Sequence, residues 1–283
     1  MIILEGNFEI RTLHSSSEMK LVQKLEEEVW KMNAIPIHQT VTAAKNGGIM
    51  LGAFDQDKLV GFSYGFTGFD QNQIYLCSHM LGIHPDYQEK GIGAKLKQEQ
   101  KRVAAEMGYE LIIWTFDPLE SRNAYLNMNK LRGICCTYIE NCYGEMEDGL
   151  NSGLPSDRFK IDWWINSEHV ADSQSLDEIQ SNEGIHLINW ETACNGLPKL
   201  GELDQGMPNL ATVDQPLLVP VPANFQELKK TDHELAIDWR YKTRGIFQYL
   251  FEAGYAVVSL QKTTNEPVHY YVLTKLQSLS IKK

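Results

Sequence analysis

The sequence predicts a mixed α/β (α+β) fold in which a mostly antiparallel sheet, with one central parallel pair of strands, is flanked by helices. Three observations lead to this prediction. Strand and helix patterns alternate densely along residues 1–166. Two of the strand patterns, at residues 73–84 and 111–114, enclose a helical pattern, and such a crossover joins parallel strands. Strand and helix signals return from residue 217, which predicts a C-terminal α/β region.

The first half alternates between strand and helix patterns. The strand patterns are bounded by turn residues, and they cover residues 8–13, 48–54, 59–67, 73–84, 111–114, 133–138 and 159–165. The helical patterns have apolar residues at three- and four-residue spacing, and they cover residues 16–31, 38–45, 92–107 and 117–131. Ser16 or Ser17 is expected to cap the first helix, and Asp117 the fourth, because serine and aspartate side chains accept hydrogen bonds from free helical N–H groups.

The third helix is predicted to bury one narrow apolar face. Its core-facing residues are expected to be Ile92, Leu96, Val103 and Met107. Gly108 follows and is expected to end the helix.

A weakly patterned polar stretch at residues 167–215, with one strand candidate at 185–190, is the predicted boundary between two regions. We therefore divide the chain into residues 1–166 and 167–283. In the second region a strand at 217–221 precedes one long helix, capped by Asn224 with Glu227 and stopped by Gly254. Strands at 255–260 and 269–274 complete the pattern.

Composition and charge exclude several classes of protein. The chain has 283 residues, 43% of them hydrophobic and 22% charged, as is usual for globular proteins. The net charge of −11 leaves no basic region to follow a phosphate backbone, which argues against a nucleic-acid partner. No run of about 18 apolar residues occurs, so no membrane partner is expected. The five cysteines are odd in number and lack C-x-x-C spacing, which favours a reduced cytoplasmic protein without a metal site or disulfides.

The segment from Gln88 to Ala94 is the most informative of the chain, because it is a glycine-containing turn that enters a helix. The first N–H groups of a helix have no partner within it, and the helix dipole adds positive potential, so such a turn receives phosphate groups. A P-loop needs Gly-Lys-Ser/Thr, whereas Gly93 is followed by Ala94-Lys95-Leu96. A dinucleotide fold needs a third glycine at position 96.

This segment resembles the acetyl-CoA signature of the GNAT N-acetyltransferase superfamily, Gln/Arg-x-x-Gly-x-Gly/Ala. Gln88, Gly91 and Gly93 match the signature, Ile92 stands where a branched apolar residue is usual, and residues 81–85 resemble the end of the family's fourth strand. The order of elements in residues 8–166 is similar to that of the family. The resemblance implies acetyl-CoA as cofactor and transfer of an acetyl or other short acyl group to an amine.

The resemblance also implies which residues bind the cofactor. The amides of residues 89–94 would hold the pyrophosphate, the strand around Leu81 and Ile83 would pair with pantetheine, and Asn123 would contact the pantetheine arm. Lys90, Lys95 and Lys97 either meet the 3′-phosphate or are solvated, and Lys90 is the first candidate. The full predicted set is Leu81, Ile83, Gln88, Glu89, Lys90, Gly91, Ile92, Gly93, Ala94 and Asn123.

The predicted catalytic residues are His79 and Tyr125. His79 stands where arylalkylamine N-acetyltransferases place a histidine as general base, or it is a packed strand histidine. Many relatives protonate the departing thiolate with a Tyr at the position that is Asn129 here. Either Tyr125 or Tyr138 supplies this proton, or solvent does, or the thiolate leaves unassisted.

The function implied is that of an N-acetyltransferase in which a small-molecule amine attacks acetyl-CoA directly in a ternary complex, without a metal. The alternative is a non-catalytic acyl-CoA-binding or regulatory protein, since the usual Tyr is missing. The second region is expected to cover a sheet edge, to shape the acceptor pocket or to form the face of a homodimer.

Overall fold

The computed structural model describes residues 2–3, 8–31, 33–144, 153–171, 184–202, 210, 213 and 215–281. The chain forms two compact units. The first unit comprises Met1–Trp114 and Trp164–Asn166, and the second comprises Thr115–Trp163 and Ser167–Lys283. Within the polar stretch expected to hold a boundary, residues 172–183 and 203–209 lie outside the described residues.

The first unit is built on a sheet of six strands that follow one another in chain order. The strands are β1 (Ile2–Ile3), β2 (Phe8–Thr12), β3 (Ile49–Asp55), β4 (Lys58–Asp70), β5 (Gln73–Ile83) and β6 (Leu111–Phe116), whose first four residues belong to this unit. Neighbouring strands from β1 to β5 are antiparallel, whereas β5 and β6 are parallel. The predicted mixed sheet with one parallel pair is therefore confirmed in this unit.

Two helices cover one face of this sheet. They are α1 (Ser16–Trp30) and α2 (Ile37–Lys45). Ser15, rather than the expected Ser16 or Ser17, caps α1, because its hydroxyl and the Glu18 carboxylate complete a reciprocal capping box. Buried apolar side chains of α1, β3 and β4 form the core beneath these helices; they include Met19, Val22, Leu25, Met50, Phe62 and Tyr64.

The crossover helix α3 spans Ile92–Glu106 and ends beside Gly108, which has a φ of 88°. Its buried face differs from the predicted one. Met107 was expected in the core but is 47% exposed, whereas Lys97 and Gln100 are buried together with Ile92 and Leu96. The buried arc is thus rotated toward polar residues, which form a hydrogen-bonded cluster described below.

The second unit contains a sheet of order β8–β7–β13–β14–β12–β9 and a separate β10–β11 pair. These strands are β7 (Ile134–Ile139), β8 (Arg158–Trp164), β9 (Ile185–His186), β10 (Trp190–Thr192), β11 (Pro198–Leu200), β12 (Leu217–Pro222), β13 (Tyr255–Gln261) and β14 (Val268–Lys275). Its helices are α4 (Ser121–Ala124), which continues as a π-helical turn over Tyr125–Lys130, α5 (Glu168–Ala171), α6 (Phe225–Thr231) and α7 (His233–Glu252). The ring of Phe159 lies at the centre of its core, against Phe247 and Tyr271.

Three predictions for this unit are corrected. Asp117 is followed by a turn and not by a helix: its carboxylate accepts the N–H of Leu119 and two hydrogen bonds from the Arg240 guanidinium, and the helix begins at Ser121. The long helix after Asn224 is two helices, because Asp232 is extended and its side chain caps α7 through the N–H of Leu235. In place of the single strand expected at residues 185–190 there are two short strands: β9 lies at the start of this range, and β10 begins at its last residue.

Candidate functional site

A tight turn leads from β5 into α3. His84 opens it by accepting a hydrogen bond at Nδ1 from the N–H of Asp86, and a 3₁₀ turn follows over Pro85–Tyr87. Glu89 and Gly91 both adopt left-handed backbone conformations, with φ of 66° and 74°, so the chain reverses within a few residues and α3 begins at Ile92. Only glycine adopts such a φ readily, which explains Gly91.

Five consecutive backbone N–H groups lie at the end of this turn and the start of α3. Among the residues that the structure describes, none accepts a hydrogen bond from the N–H of Lys90, Gly91, Ile92, Gly93 or Ala94, and the first helical bond is that from Lys95 to Gly91. The side chains of Gln88, Glu89 and Lys90 are exposed. Five N–H groups at the positive end of a 15-residue helix form a site suited to an anion.

Space for a ligand is present beside this turn. A Cβ atom built on Gly91 would have no heavy atom within 4 Å, and the Lys90 ammonium lies 4.4 Å from the centroid of the Tyr87 ring. Gly93 brings α3 close to β5, since a Cβ there would lie 3.6 Å from Leu81 Cδ2. A diphosphate fits these residues by charge, by donor number and by the lack of side chains at the two glycines.

Strand β5 has a free edge next to this turn. It pairs with β6 only at Leu76 and Cys77, and the two strands separate beyond that point. His84 donates its N–H to Val60 of β4, and backbone groups of alternate residues face opposite edges of a strand. The N–H and C=O groups of Leu81 and Ile83 therefore face the edge that β6 has left, where an extended chain could pair with them.

A β-bulge lies in β5 at His79. Tyr64 of β4 pairs with Met80 and Gly65 pairs with Ser78, so His79 is the extra residue. Ser78 and Leu81 face α3, whereas Met80 packs on the core below α1 and the His79 ring contacts those of Tyr64 and Phe66. The bulge thus puts His79 and Met80 on the same face of the sheet.

The His79 ring is partly covered by two aromatic rings. Its centroid lies 6.1 Å from that of Tyr64 and 5.6 Å from that of Phe66, while the side chain as a whole is exposed. Partial desolvation lowers the pKa of His79 below its ordinary value, because it disfavours the charged form. A neutral imidazole reachable from solvent can accept a proton.

The structure reveals a buried polar cluster that the sequence analysis missed. Lys97 Nζ donates to Ser78 Oγ over 2.7 Å, Ser78 Oγ donates to Gln100 Oε1 over 2.7 Å, and Gln100 Nε2 donates to Ser63 Oγ over 2.8 Å. Lys97 also lies 3.6 Å from the centroid of the Trp114 ring. Gln100, a polar residue between Leu96 and Val103 on the apolar stripe of α3, is the signal that could have disclosed the cluster.

The candidates for the proton donor lie in the second unit. Tyr138 is occupied, because its hydroxyl donates to the buried carboxylate of Asp157 over 2.7 Å, and burial first, then that carboxylate, raises its pKa well above the ordinary value. The ring of Tyr125 lies beneath Lys262, at 3.8 Å from the ammonium to the centroid. Asn123, in the same helix, is exposed. The roles that the resemblance implies for Asn123 and Tyr125 stay predictions.

Asn129 has a structural role. Its amide receives a hydrogen bond from the N–H of Leu260 over 2.9 Å and donates to the C=O of Leu260 over 3.2 Å and to Ser259 Oγ over 3.0 Å. The side chain therefore pairs with β13 as a short piece of strand would. An amide engaged in this way does not supply a proton.

The thiols and acidic groups do not assemble into a further centre. All five cysteines are free, and among the described residues no group of three or more His, Cys, Asp or Glu side chains could hold a metal ion. Burial raises the pKa of the Cys77 thiol, which keeps it protonated, although the nearby Lys97 acts in the opposite direction. Within the described ranges no helix is long and apolar enough to cross a membrane.

Comparisons with known proteins find a match to one family model. Residues 9–128 match the model of the acetyltransferase (GNAT) family. Similar solved structures include Arabidopsis thaliana NAA60 in complex with acetyl-CoA, at 14% identity and a TM-score of 0.46, which covers 56% of this chain and 99% of that one. The ribosomal-protein-S18-alanine N-acetyltransferase from Escherichia coli has 14% identity and a TM-score of 0.45, with 56% and 94% covered.

A third similar structure is an aminoglycoside acetyltransferase from an uncultured soil metagenomic sample, in complex with sisomicin. It has 18% identity and a TM-score of 0.35, and the match covers 39% of this chain and 78% of that one. No curated protein sequence matches the chain.

Proposed function

We propose that the protein transfers an acetyl group, or another short acyl group, from acetyl-CoA to a small-molecule amine, since residues 9–128 match the model of the acetyltransferase (GNAT) family. The amine attacks the thioester directly in a ternary complex. Residues 1–166 form the acyltransferase region in this proposal, and residues 167–283 extend it. The observation that carries the proposal is the row of five unpaired N–H groups from Lys90 to Ala94 beside the free edge of β5.

The first unit supplies the groups that acetyl-CoA requires. The N–H groups of the turn, from Glu89 to Ala94, bind the diphosphate, and Gly91 leaves room for it. Lys90 is close enough to the turn to meet a further phosphate. The outward-facing backbone groups of Leu81 and Ile83 pair with the amides of the pantetheine arm. When bound, acetyl-CoA supplies the activated acyl group, and the chain binds and orients it.

His79 is the proposed general base. It lies on the bulge of the strand whose free edge binds the donor, and its lowered pKa leaves the imidazole neutral at neutral pH. Since an amine must lose a proton to attack, a neutral imidazole within reach of solvent raises the fraction of reactive amine. Direct transfer needs no covalent enzyme intermediate.

A second candidate function is acyl-CoA binding without catalysis, as a regulatory protein. The observation that favours it is the structural use of Asn129, which pairs with Leu260 at the position where many relatives have the acidic Tyr. Both functions require the same turn, so binding alone does not separate them.

The experiment that tests the proposal combines calorimetric titration of CoA and acetyl-CoA with a thiol-release assay over a panel of primary amines. We expect binding of both nucleotides and release of CoA with at least one class of amine. Binding without release on any amine would support the non-catalytic alternative. Failure of the protein to bind CoA would overturn both functions.

A further inference from the structure

Lys97 is a buried cation without a carboxylate partner. Its side chain is 3% exposed, and no carboxylate oxygen of the described residues lies within 4.0 Å of Nζ. Its contacts are Ser78 Oγ at 2.7 Å and the face of the Trp114 ring at 3.6 Å. An ammonium held this way is unfavourable for folding, because a single hydroxyl and an aromatic face replace little of its hydration. Such a group therefore calls for a functional explanation.

The position of Lys97 in the sheet is specific. Ser78 is the first residue of β5 beyond its last pair with β6, and Trp114 is the first residue of β6 beyond that same pair. Lys97 Nζ thus bridges the two strands at the point where they separate. Gly93 lies over Leu81, and Lys97, one helical turn later, lies over Ser78. Helix α3 therefore crosses the face of β5 from the unpaired N–H groups to this point.

The surroundings of Lys97 favour proton exchange. Burial lowers the pKa of Lys97 to about 7, and the neighbouring Cys77 acts in the opposite direction. The titratable neighbour of Lys97 on β5 is Cys77, whose thiol stays protonated because burial raises its pKa. On α3 the Glu99 carboxylate accepts from Arg102. On β4 the cluster ends at the hydroxyl of Ser63, which Gln100 holds. An acid whose pKa is close to the working pH is an efficient proton donor.

We propose that Lys97 and Ser78 form the relay that protonates the CoA thiolate when the acyl group leaves, in place of the missing tyrosine. This inference rests on the proposed function. The amine nitrogen forms a bond to the thioester carbonyl carbon and the carbon–sulfur bond breaks. The sulfur takes the proton of the Ser78 hydroxyl, and Ser78 takes one from the Lys97 ammonium, which becomes a neutral amine. The proton lost by the attacking amine goes to His79, and solvent later returns a proton to Lys97.

The relay assigns distinct roles to its members. Ser78 is the catalytic residue, because its hydroxyl meets the sulfur. Lys97 acts through Ser78 and is a positioning residue that also stores the proton. Gln100 holds the Ser78 hydroxyl at rest by accepting its hydrogen at Oε1. The hydroxyl rotates away from Gln100 to donate to sulfur.

Three variants test the relay. Lys97→Met removes the ammonium group that supplies the proton. The variant is expected to fold, because an apolar side chain of similar length replaces an uncompensated buried charge. Lys97→Arg keeps a positive charge but cannot release a proton near neutral pH. Ser78→Ala removes the hydroxyl. Lys101→Met, one turn further along α3, is the matched control.

With a reactive amine from the panel, we expect Lys97→Met, Lys97→Arg and Ser78→Ala to lower kcat by about 10²-fold or more while the Kd for acetyl-CoA stays within about twofold. The kcat of the wild type is expected to decrease above neutral pH as Lys97 gives up its proton, whereas the pH–rate profile of Lys97→Met lacks this decrease. Lys101→Met is expected to keep both the rate and the decrease. Restoration of the wild-type rate by Lys97→Arg would overturn the relay, because it would show that the charge alone is needed.

A measurement on the bound product, without turnover, completes the test. The ultraviolet absorbance of thiolate reports the ionisation of CoA bound to the enzyme. Because the ammonium stabilises the thiolate through Ser78, we expect bound CoA to ionise at lower pH on the wild type than on Lys97→Met or Ser78→Ala. Equal ionisation on all three proteins would overturn the relay. If CoA is still released with an amine, such a result contradicts the relay but not the proposed acetyl transfer. Absence of CoA binding would overturn the proposed function itself.

Discussion

His79 owes its position to the bulge of β5. With strict alternation His79 would share a face with Leu81, which lies toward α3. The extra residue instead puts His79 on the opposite face, beside Met80 and the Tyr64 ring. The sequence indicated a histidine on this strand and left open whether it packs or reacts. Its exposure together with its lowered pKa supports the second interpretation.

We predict that His79→Gln lowers kcat/KM at neutral pH by about 10²- to 10⁴-fold. Glutamine keeps a polar side chain of similar size but cannot take a proton. The loss is expected to shrink as pH rises, because more of the amine is then unprotonated without help. In the wild type the rate falls as pH decreases through the lowered pKa of His79, where the imidazole becomes charged. The same substitution at the exposed His38 is the control, and pH–rate profiles of all three proteins are the measurement.

An unchanged profile for His79→Gln would mean that His79 only packs against Tyr64 and Phe66.

The role of Asn129, unlike the position of His79, could not be predicted from the sequence. The sequence disclosed that a tyrosine was missing, but the partner of the amide is Leu260, far along the chain, so no local pattern indicates its structural role.

At the scale of the element, the role proposed for α3 depends on its first turn. Gly91 and Gly108 flank this helix, both with positive φ, and a Cβ at either would have no neighbour within 4 Å. The two glycines therefore carry the same conformational demand at opposite ends of one helix. They differ in that only Gly91 lies beside the unpaired N–H groups.

We predict that Gly91→Gln abolishes binding of CoA, whereas Gly108→Gln retains it. Each is expected to lower the free energy of unfolding by about 1–2 kcal/mol, because a side chain is placed on left-handed backbone. Calorimetric titration gives the affinity and urea denaturation gives the stability. Loss of binding in both variants would attribute the effect to helix stability and would count against the turn as the phosphate site.

The elements themselves were largely predictable, since periodicity and turn residues act within a few positions. Gln88 to Ala94 and the strand before it were found in this way. The predictions were wrong where the contacts of a residue are with partners distant in the sequence. Asp117 has the sequence of a helix cap, yet it binds Arg240, and Met107 fits an apolar stripe from which Gln100 and Lys97 displace it. The cluster around Ser78 joins three strands and a helix, so no single segment contains its pattern.

For the whole molecule, Lys97 makes folding stability depend on pH in an unusual range. The pKa of Lys97 is about 7 in the folded protein and near 10.5 in the unfolded chain. Between these values the unfolded chain binds the additional proton, so stability rises with pH, and below about pH 7 both states are protonated and this contribution is lost. The slope is about 1.4 kcal/mol per pH unit for one proton.

We predict that the free energy of unfolding of the wild type increases relative to that of Lys97→Met as pH is raised from about 7 toward 9. Buried thiols such as Cys77 act in the opposite direction near the upper limit, but they are common to both proteins, so the difference isolates Lys97. Urea denaturation at a series of pH values measures it. Parallel stability curves for the two proteins would show that Lys97 titrates normally.

The bulge at His79 also makes the length of β5 matter more than its composition. A substitution in this strand alters one contact. Insertion or removal of a single residue between Ser78 and Leu81 would instead exchange the faces of all later side chains, so that Leu81 and Ile83 would turn away from α3. The turn that leads from β5 into α3 would then start from the opposite face of the sheet. We therefore expect β5 to tolerate substitutions but not the insertion or deletion of a residue.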